Sequence, residues 1–473
     1  MSEYCGGQEP LSKTIIMKKT HILLIAGFMM ASCEKQEKWL DVKSNKSDVV
    51  PTTLQDYRAL LDNDQTLNES EPALGFIGSD NYYITDAVYT SLSGAYLRNS
   101  YTWSKEIYEG GIGFDWRASY QHVGIANVVL DGLKKIDKAQ NTSEYNSIKG
   151  DALFIRAKAF FNLASQFAKQ YDKETADTDL GIVLKMTSAV QEKVSRSTVL
   201  QTYQQIIDDL LEAESILPSI AVYKTRASKS AARGLLAKVY LSIGDYVRAL
   251  KYSNAVLEQD NVLIDFNNLN AALAFPFPTF AAGNPEVVYH CIMTGVTIST
   301  NSRMLVPDFL YQMYDTDDLR KTLFFNTSIP SQIKFKGYYT GENSAIFCGI
   351  ALNEMYLISA ECEARNGNKD ASLQHLNKLL NKRYRTGSFT ALSAADAKQA
   401  LAIVLRERRK EIPFNGISRW IDLRRLNKER DFAVELSRTV RGTVYSIPPN
   451  DPRYIYPIPP EEIRVTGIQQ NIR

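Results

Sequence analysis

Histidine is scarce in this 473-residue chain, at four in all. His122, His290 and His375 lie far apart, with no His-Glu-x-x-His pattern and no acidic cluster beside them, so no metal site is expected. Net charge is nearly absent too: 55 basic against 53 acidic residues leave a formal +2. No strong field is available to gather nucleic acid or anionic headgroups, and a nucleic-acid partner is not expected. The five cysteines make no disulfide framework. Cys5 and Cys33 fall in the leader, and Cys291, Cys348 and Cys362 are odd in number and lack metal-ligand spacing. There is no Gly-x-Ser-x-Gly elbow and no Walker-type loop. Gly110-Gly111-Ile112-Gly113 has neither the lysine of a phosphate loop nor the strand that precedes a dinucleotide fingerprint. No catalytic residue, metal or cofactor is expected.

Long hydrophobic runs are equally rare, and the first is short. From Met17 the chain reads Met-Lys-Lys-Thr, followed by a nearly wholly apolar stretch from His21 to Met30. A cationic start and a run this short suit a cleaved export signal, not a permanent membrane helix. The run ends in Met30-Ala31-Ser32-Cys33, which resembles the bacterial lipobox with Met30 in place of the usual leucine. Residues 1–33 therefore read as a lipoprotein signal with its true start at Met17, and Cys33 as the lipidation site. No second apolar stretch of spanning length follows, so attachment would rest on lipid alone. Residues 34–50, polar and lysine-rich, read as a flexible tether.

What the chain does have is helical periodicity. Over 228–257, Leu235, Leu236, Val239, Tyr240 and Ile243 share one face. Gly244 permits a left-handed stop, and Asp245 caps a second helix carrying Ala249, Leu250, Ser253, Val256 and Leu257. Residues 351–384 repeat the scheme around Gly367-Asn368. Single amphipathic helices are expected at 147–170 and 198–216, the latter ended by Pro218. Helix pairs must stack to hide their apolar faces. The expectation is a mainly α fold of tetratricopeptide-like helix pairs in a short superhelix. Residues 51–473 form one domain, with helical halves at about 51–260 and 350–430. A loop-rich insertion with short strands occupies 261–349, and an irregular, proline-rich segment 431–473.

The most specific motif is Leu405-Arg406-Glu407-Arg408-Arg409-Lys410-Glu411, continuing through Pro413-Phe414-Asn415-Gly416 to Arg419-Trp420-Ile421-Asp422-Leu423-Arg424-Arg425. With Gly150–Ala157, Phe160–Leu163, Asp179-Leu-Gly181, Arg196–Val199, Gly244–Tyr246 and Tyr456-Pro457-Ile458-Pro459, it resembles the SusD/RagB family of nutrient-uptake lipoproteins. The resemblance implies a non-catalytic outer-membrane protein that captures oligosaccharide or polysaccharide. It further implies delivery to a SusC-like TonB-dependent β-barrel transporter, with the lipid anchor facing the cell exterior. Read as residues, Glu407 and Glu411 lie four apart on one helix and point the same way. They suit an ion-pair network with Asp422, Arg424 and Arg425 better than a pair of hydrolytic carboxylates facing each other across a sugar.

Sugar recognition needs exposed aromatic faces and polar partners. Tyrosine is abundant, at 26 residues, and the densest stretch is 80–116. There Tyr101 and Trp103 are the expected stacking platforms, with Asn81 and Tyr82 in support; Trp116 reads as packing. In the insertion Tyr338 and Tyr339, before Thr340-Gly341, read as an exposed loop tip. Two other functions compete: a lipid-anchored glycoside hydrolase, and a helical-repeat scaffold that binds protein.

Overall fold

The helices are set by local signals. The computed structural model describes residues 50–473, so the expected signal, Cys33 and nearly all of the tether lie outside the described residues. Within them, Thr53–Arg473 form one compact unit. Its principal helices are α1 (Leu54–Leu61), α2 (Phe114–Leu133), α3 (Thr142–Phe167), α4 (Val199–Ile216), α5 (Lys229–Ser242), α6 (Tyr246–Gln259), α7 (Leu352–Arg365), α8 (Lys369–Leu380), α9 (Ala397–Glu411) and α10 (Ser418–Leu426). Side-chain caps start several of them. Thr53 with Asp56 and Thr198 with Gln201 form capping boxes on α1 and α4, and Asp245 accepts from the Arg248 amide at the head of α6. Gly244 holds φ +81° between α5 and α6, the left-handed geometry read from the sequence.

Helices α2 to α8 pack each on the next in chain order, and α9 closes over α7 and α8. The fold is mainly α. Small residues let the backbones approach: Ala231, Ala232, Ala237, Ala249 and Ala360 are all fully buried, and Ser253 meets Ser359 at 2.8 Å between α6 and α7. Because α6 packs on α7, the chain between them leaves the helical stack and returns to it. That excursion holds short strands, as its composition suggests. It also holds two short helices, Asp308–Tyr311 and Arg320–Phe324, which the sequence reading did not separate from loop.

All strands of the described residues pair two by two, antiparallel: Leu180–Val183 with Arg196–Thr198, Val287–Tyr289 with Ile350–Ala351, Phe325–Ile329 with Gln332–Phe335, and Leu436–Val440 with Thr443–Ile447. The last hairpin sets Arg438 opposite Tyr445 and turns at Arg441-Gly442. Glu461 and Glu462 lie in the first turn of a short helix, Pro460–Thr466. Proline at its first position lacks only an N–H that would be unpaired there anyway.

Two cores result. One, mixing Ala, Leu, Ile and Val with rings such as Trp116, Phe160 and Trp420, fills the helical stack. The other is aromatic, built on Phe266, Phe277, Phe324, Phe325 and Phe335 of the insertion, and Phe76, Tyr82 and Tyr101 from the N-terminal segment join it. The N-terminal segment and the insertion therefore share one interior.

Candidate functional site: an aromatic cage and the surface above it

The motif at 405–425 lies at the junction of the two cores and holds them together through buried charge. Glu407 and Glu411 both take Arg320, at 2.7 and 3.1 Å, and Glu411 also takes Arg383 at 2.8 Å. Asp318 closes on Arg320 at 2.8 Å and on Lys410 at 2.9 Å, while Glu286 pairs with Arg383 at 2.9 Å. The side chains of Arg320 and Arg383 are completely buried. The ion-pair reading of the two glutamates is correct, but the expected partners are not. Arg320 and Arg383 come from far away in sequence. Asp422 and Arg425 belong to a neighbouring network, where Asp422 takes Arg408 at 2.7 Å and Arg425 at 2.8 Å, and Arg425 also takes Glu361. Burial opposes ionisation of Asp422, but those two guanidiniums override it and hold the carboxyl down at about 2. Arg424 pairs with no carboxylate among the described residues. It donates to the carbonyls of Ala164, Ser165 and Ala168, satisfying the open end of α3. Trp420 is fully buried.

The expected sugar platforms are inside the protein. Tyr82, Tyr101 and Trp103 are each 2% exposed or less. They surround one cation, Arg438 of the C-terminal hairpin. Its guanidinium carbon lies 3.9 Å from the centroid of the Tyr101 ring, 4.6 Å from Trp103 and 5.6 Å from Tyr82. The nitrogens of Arg438 donate to the carbonyls of Ile77, Tyr101 and Ser79. Each ring is tethered as well: the Trp103 indole donates to Gly78 O at 2.9 Å, the Tyr82 hydroxyl to Ile77 O at 3.2 Å, and the Tyr101 hydroxyl accepts from the Ile84 amide at 3.0 Å. A desolvated cation over an aromatic face is worth about 2 kcal/mol, so these faces are already occupied. Asn81 is buried too, donating to the Pro413 carbonyl.

Tyr338 and Tyr339 do not form an exposed tip either. Tyr338 is 1% exposed, with Phe335 edge-on at 5.2 Å. Tyr339 is half-buried between Phe277 and Phe347, and its hydroxyl donates to Glu286. Aromatic density alone could not tell a core from a platform here. Trp116, read as packing, is buried edge-on to Phe167 at 5.2 Å.

The outward faces belong to neighbours of the caged residues. Tyr83, next to buried Tyr82, is 39% exposed, and its backbone is pinned to Leu305 by two hydrogen bonds of 2.8 and 2.9 Å. Side chains alternate along extended chain, so Tyr82 facing in turns Tyr83 out. The next element, helix Asp86–Ser91, buries none of its residues. Its Tyr89 lies over the cage, 6.2 Å from the Tyr101 ring. Burial pushes the Tyr89 hydroxyl up, partly offset by a hydrogen bond to Thr102 and by Arg98 and Arg441 nearby; Tyr445 stands close as well. The helix is tied to its surroundings at both ends. The Arg441 amide donates to Asp86 Oδ1 at 2.7 Å, and the Arg303 guanidinium donates to Ser91 Oγ at 3.2 Å. Three separate stretches of chain thus meet at one small surface: 83–98, 301–305 and 441–445. Its side chains are tyrosine rings, guanidiniums and hydroxyls, the groups that stack on and hydrogen-bond a pyranose.

Comparison with known proteins assigns the architecture. A SusD-like family described as starch-binding, associating with outer membrane, matches residues 38–241, and the SusD family itself matches 334–472. The chain belongs to the SusD/RagB family. A SusD-like protein P2 from Formosa agariphila is 24% identical over 419 residues, covering 75% of this chain and 79% of that one. Among solved structures, a SusD superfamily protein from Bacteroides thetaiotaomicron superposes with a TM-score of 0.72 at 22% identity, covering 89% of this chain and all of its own. A SusD-like carbohydrate binding protein from Bacteroides vulgatus does so at 0.68 and 20% identity, covering 88% and 97%. In this SusD/RagB chain the family motif at 405–425 is the buried joint between the cores, and the tyrosine and arginine surface stands on the far side of the cage.

Proposed function

We propose that this protein is an outer-membrane lipoprotein, anchored through Cys33 and facing the cell exterior. It binds oligosaccharide or polysaccharide without cleaving it and delivers it to a SusC-like TonB-dependent transporter. Family membership supports the role, as do the matched family described as starch-binding and the similar structure named a carbohydrate binding protein. No helix among the described residues is long and apolar enough to cross a membrane, which agrees with a lipid anchor. The observation that carries the binding reading is the open surface around helix Asp86–Ser91, with Tyr83, Tyr89 and Tyr445 over a rigid cage. The carboxylates weighed for hydrolysis, Glu407 and Glu411, are both spent on Arg320.

The test is a glycan array followed by calorimetry on the best ligand. The double variant Tyr83→Ala with Tyr89→Ala should lose about tenfold in affinity, or 1.4 kcal/mol, with its melting curve unchanged. Unaltered affinity removes the site from this surface. Release of reducing ends from the ligand ends the non-catalytic reading. Purification from membranes should bring down a TonB-dependent barrel, and Cys33→Ser should free the protein from the membrane fraction.

A further inference from the structure

Arginine on a protein surface usually finds a carboxylate, and most arginines described here do. Three that do not are gathered around one six-residue helix. Arg98, Arg303 and Arg441 have no carboxylate within ion-pair distance among the described residues. Arg303 spends one nitrogen on Ser91 Oγ at 3.2 Å and is half-buried. Arg98 spends one on the Leu92 carbonyl. Arg441 is exposed at the hairpin turn with φ +50°, and only its backbone amide is engaged, by Asp86. Asp86 faces them from the helix with its Oδ1 accepting from the Arg441 amide, and its single negative charge stands against three positive ones. Asp80, the next carboxylate along the chain, is clamped between Arg409 and Arg419 at 2.8 Å each and neutralises nothing here.

The placement is held firmly by contacts that have nothing to do with charge. Arg441 is carried by the hairpin whose Arg438 is locked in the cage, Arg303 by the segment paired with Tyr83, and Arg98 by the helix Ala95–Tyr101 that supplies the cage with Tyr101. A guanidinium presents several N–H donors in a planar fork that matches a carboxylate or a sulfate, and each such contact is stronger than one to a neutral hydroxyl. Three guanidiniums placed around helix Asp86–Ser91, with Arg98, Arg441 and Tyr445 close to Tyr89, make a surface suited to a sugar chain that carries negative charge. We infer that this surface takes an anionic polysaccharide, its acidic groups held by Arg98, Arg303 and Arg441 and its ring faces by Tyr83, Tyr89 and Tyr445. The inference rests on the glycan-binding reading and narrows it to a substrate class. The protein as a whole carries +2, so attraction to such a polymer comes from this local arrangement and not from a general field.

Affinity electrophoresis of the purified full chain through gels containing a polyuronate, dextran sulfate or uncharged dextran tests it. Retardation by the polyuronate, by dextran sulfate, or by both is the expected result, and the pattern tells carboxylate from sulfate recognition. Arg303→Gln and Arg441→Gln should each weaken that retardation about fivefold, and the pair more than tenfold, with binding weakening further as salt is raised. Both residues are peripheral to the cores, so folding is checked by an unchanged circular dichroism melt. A chain retarded equally by dextran, with no loss in the variants, overturns the inference while leaving glycan binding intact. No retardation by any polymer overturns both.

Discussion

The hairpin Leu436–Ile447 carries two arginines three positions apart with opposite surroundings. Arg438 is 8% exposed, sealed among Tyr82, Tyr101 and Trp103, with three backbone carbonyls as acceptors. Arg441 stands at the turn in solvent, its guanidinium unclaimed. The same residue type builds the frame in one place and equips the surface in the other. What separates the roles is desolvation. A buried guanidinium must have all its partners supplied by the protein, whereas one in water keeps its donors for a ligand.

The comparison can be broken from the inside outward. The largest effect is expected at the joint between the cores. Arg320→Met strips Asp318, Glu407 and Glu411 of their shared cation and should lower unfolding stability in urea by about 3–5 kcal/mol. Arg438→Leu comes next, at about 3 kcal/mol, because it leaves buried carbonyls unpaired and empties the cage; it should also abolish ligand binding by releasing the hairpin. Asp422→Asn acts through pH. Its carboxyl is held at about 2 against an ordinary 3.8, so the folded state favours the ionised form. The resulting stability is present above pH 3.8 and is lost as pH falls toward 2. The variant should forgo about 2 kcal/mol of it at neutral pH and show a flatter acid limb in melts between pH 4 and 2. The smallest effect belongs to Arg441→Gln, within about 0.5 kcal/mol of the parent in stability. If Arg441→Gln destabilised as much as Arg438→Leu, the division between frame and surface would be gone.

The helices were legible because their signals are local. Gly244 and Asp245 lie in the same few residues as the turn and cap they make, and α5 and α6 follow. The charge of the 405–425 motif was legible as ion pairing, since side chains four apart on a helix face one way. Its partners were not, because Arg320, Arg383 and Glu286 come from the insertion and beyond, and nothing nearby in sequence points to them. The cage was misread for the same reason: Tyr82, Tyr101 and Trp103 become interior only when Arg438, more than 330 positions later, arrives to fill them. One local clue did exist. Tyr82 and Tyr83 are adjacent in an extended run, so only one of them could face out.

The cage also orders events in time. Its rings are made early in synthesis and its cation late, and an N-to-C chain leaves the ribosome in that order. Until residue 438 is available, Tyr82, Tyr101 and Trp103 enclose a vacancy lined by bare carbonyls, and the outer tyrosines have no floor. With ligand bound on the proposed surface, its capture would report full-length synthesis: a truncated product could keep its helical stack yet would lack the floor beneath the outer tyrosines.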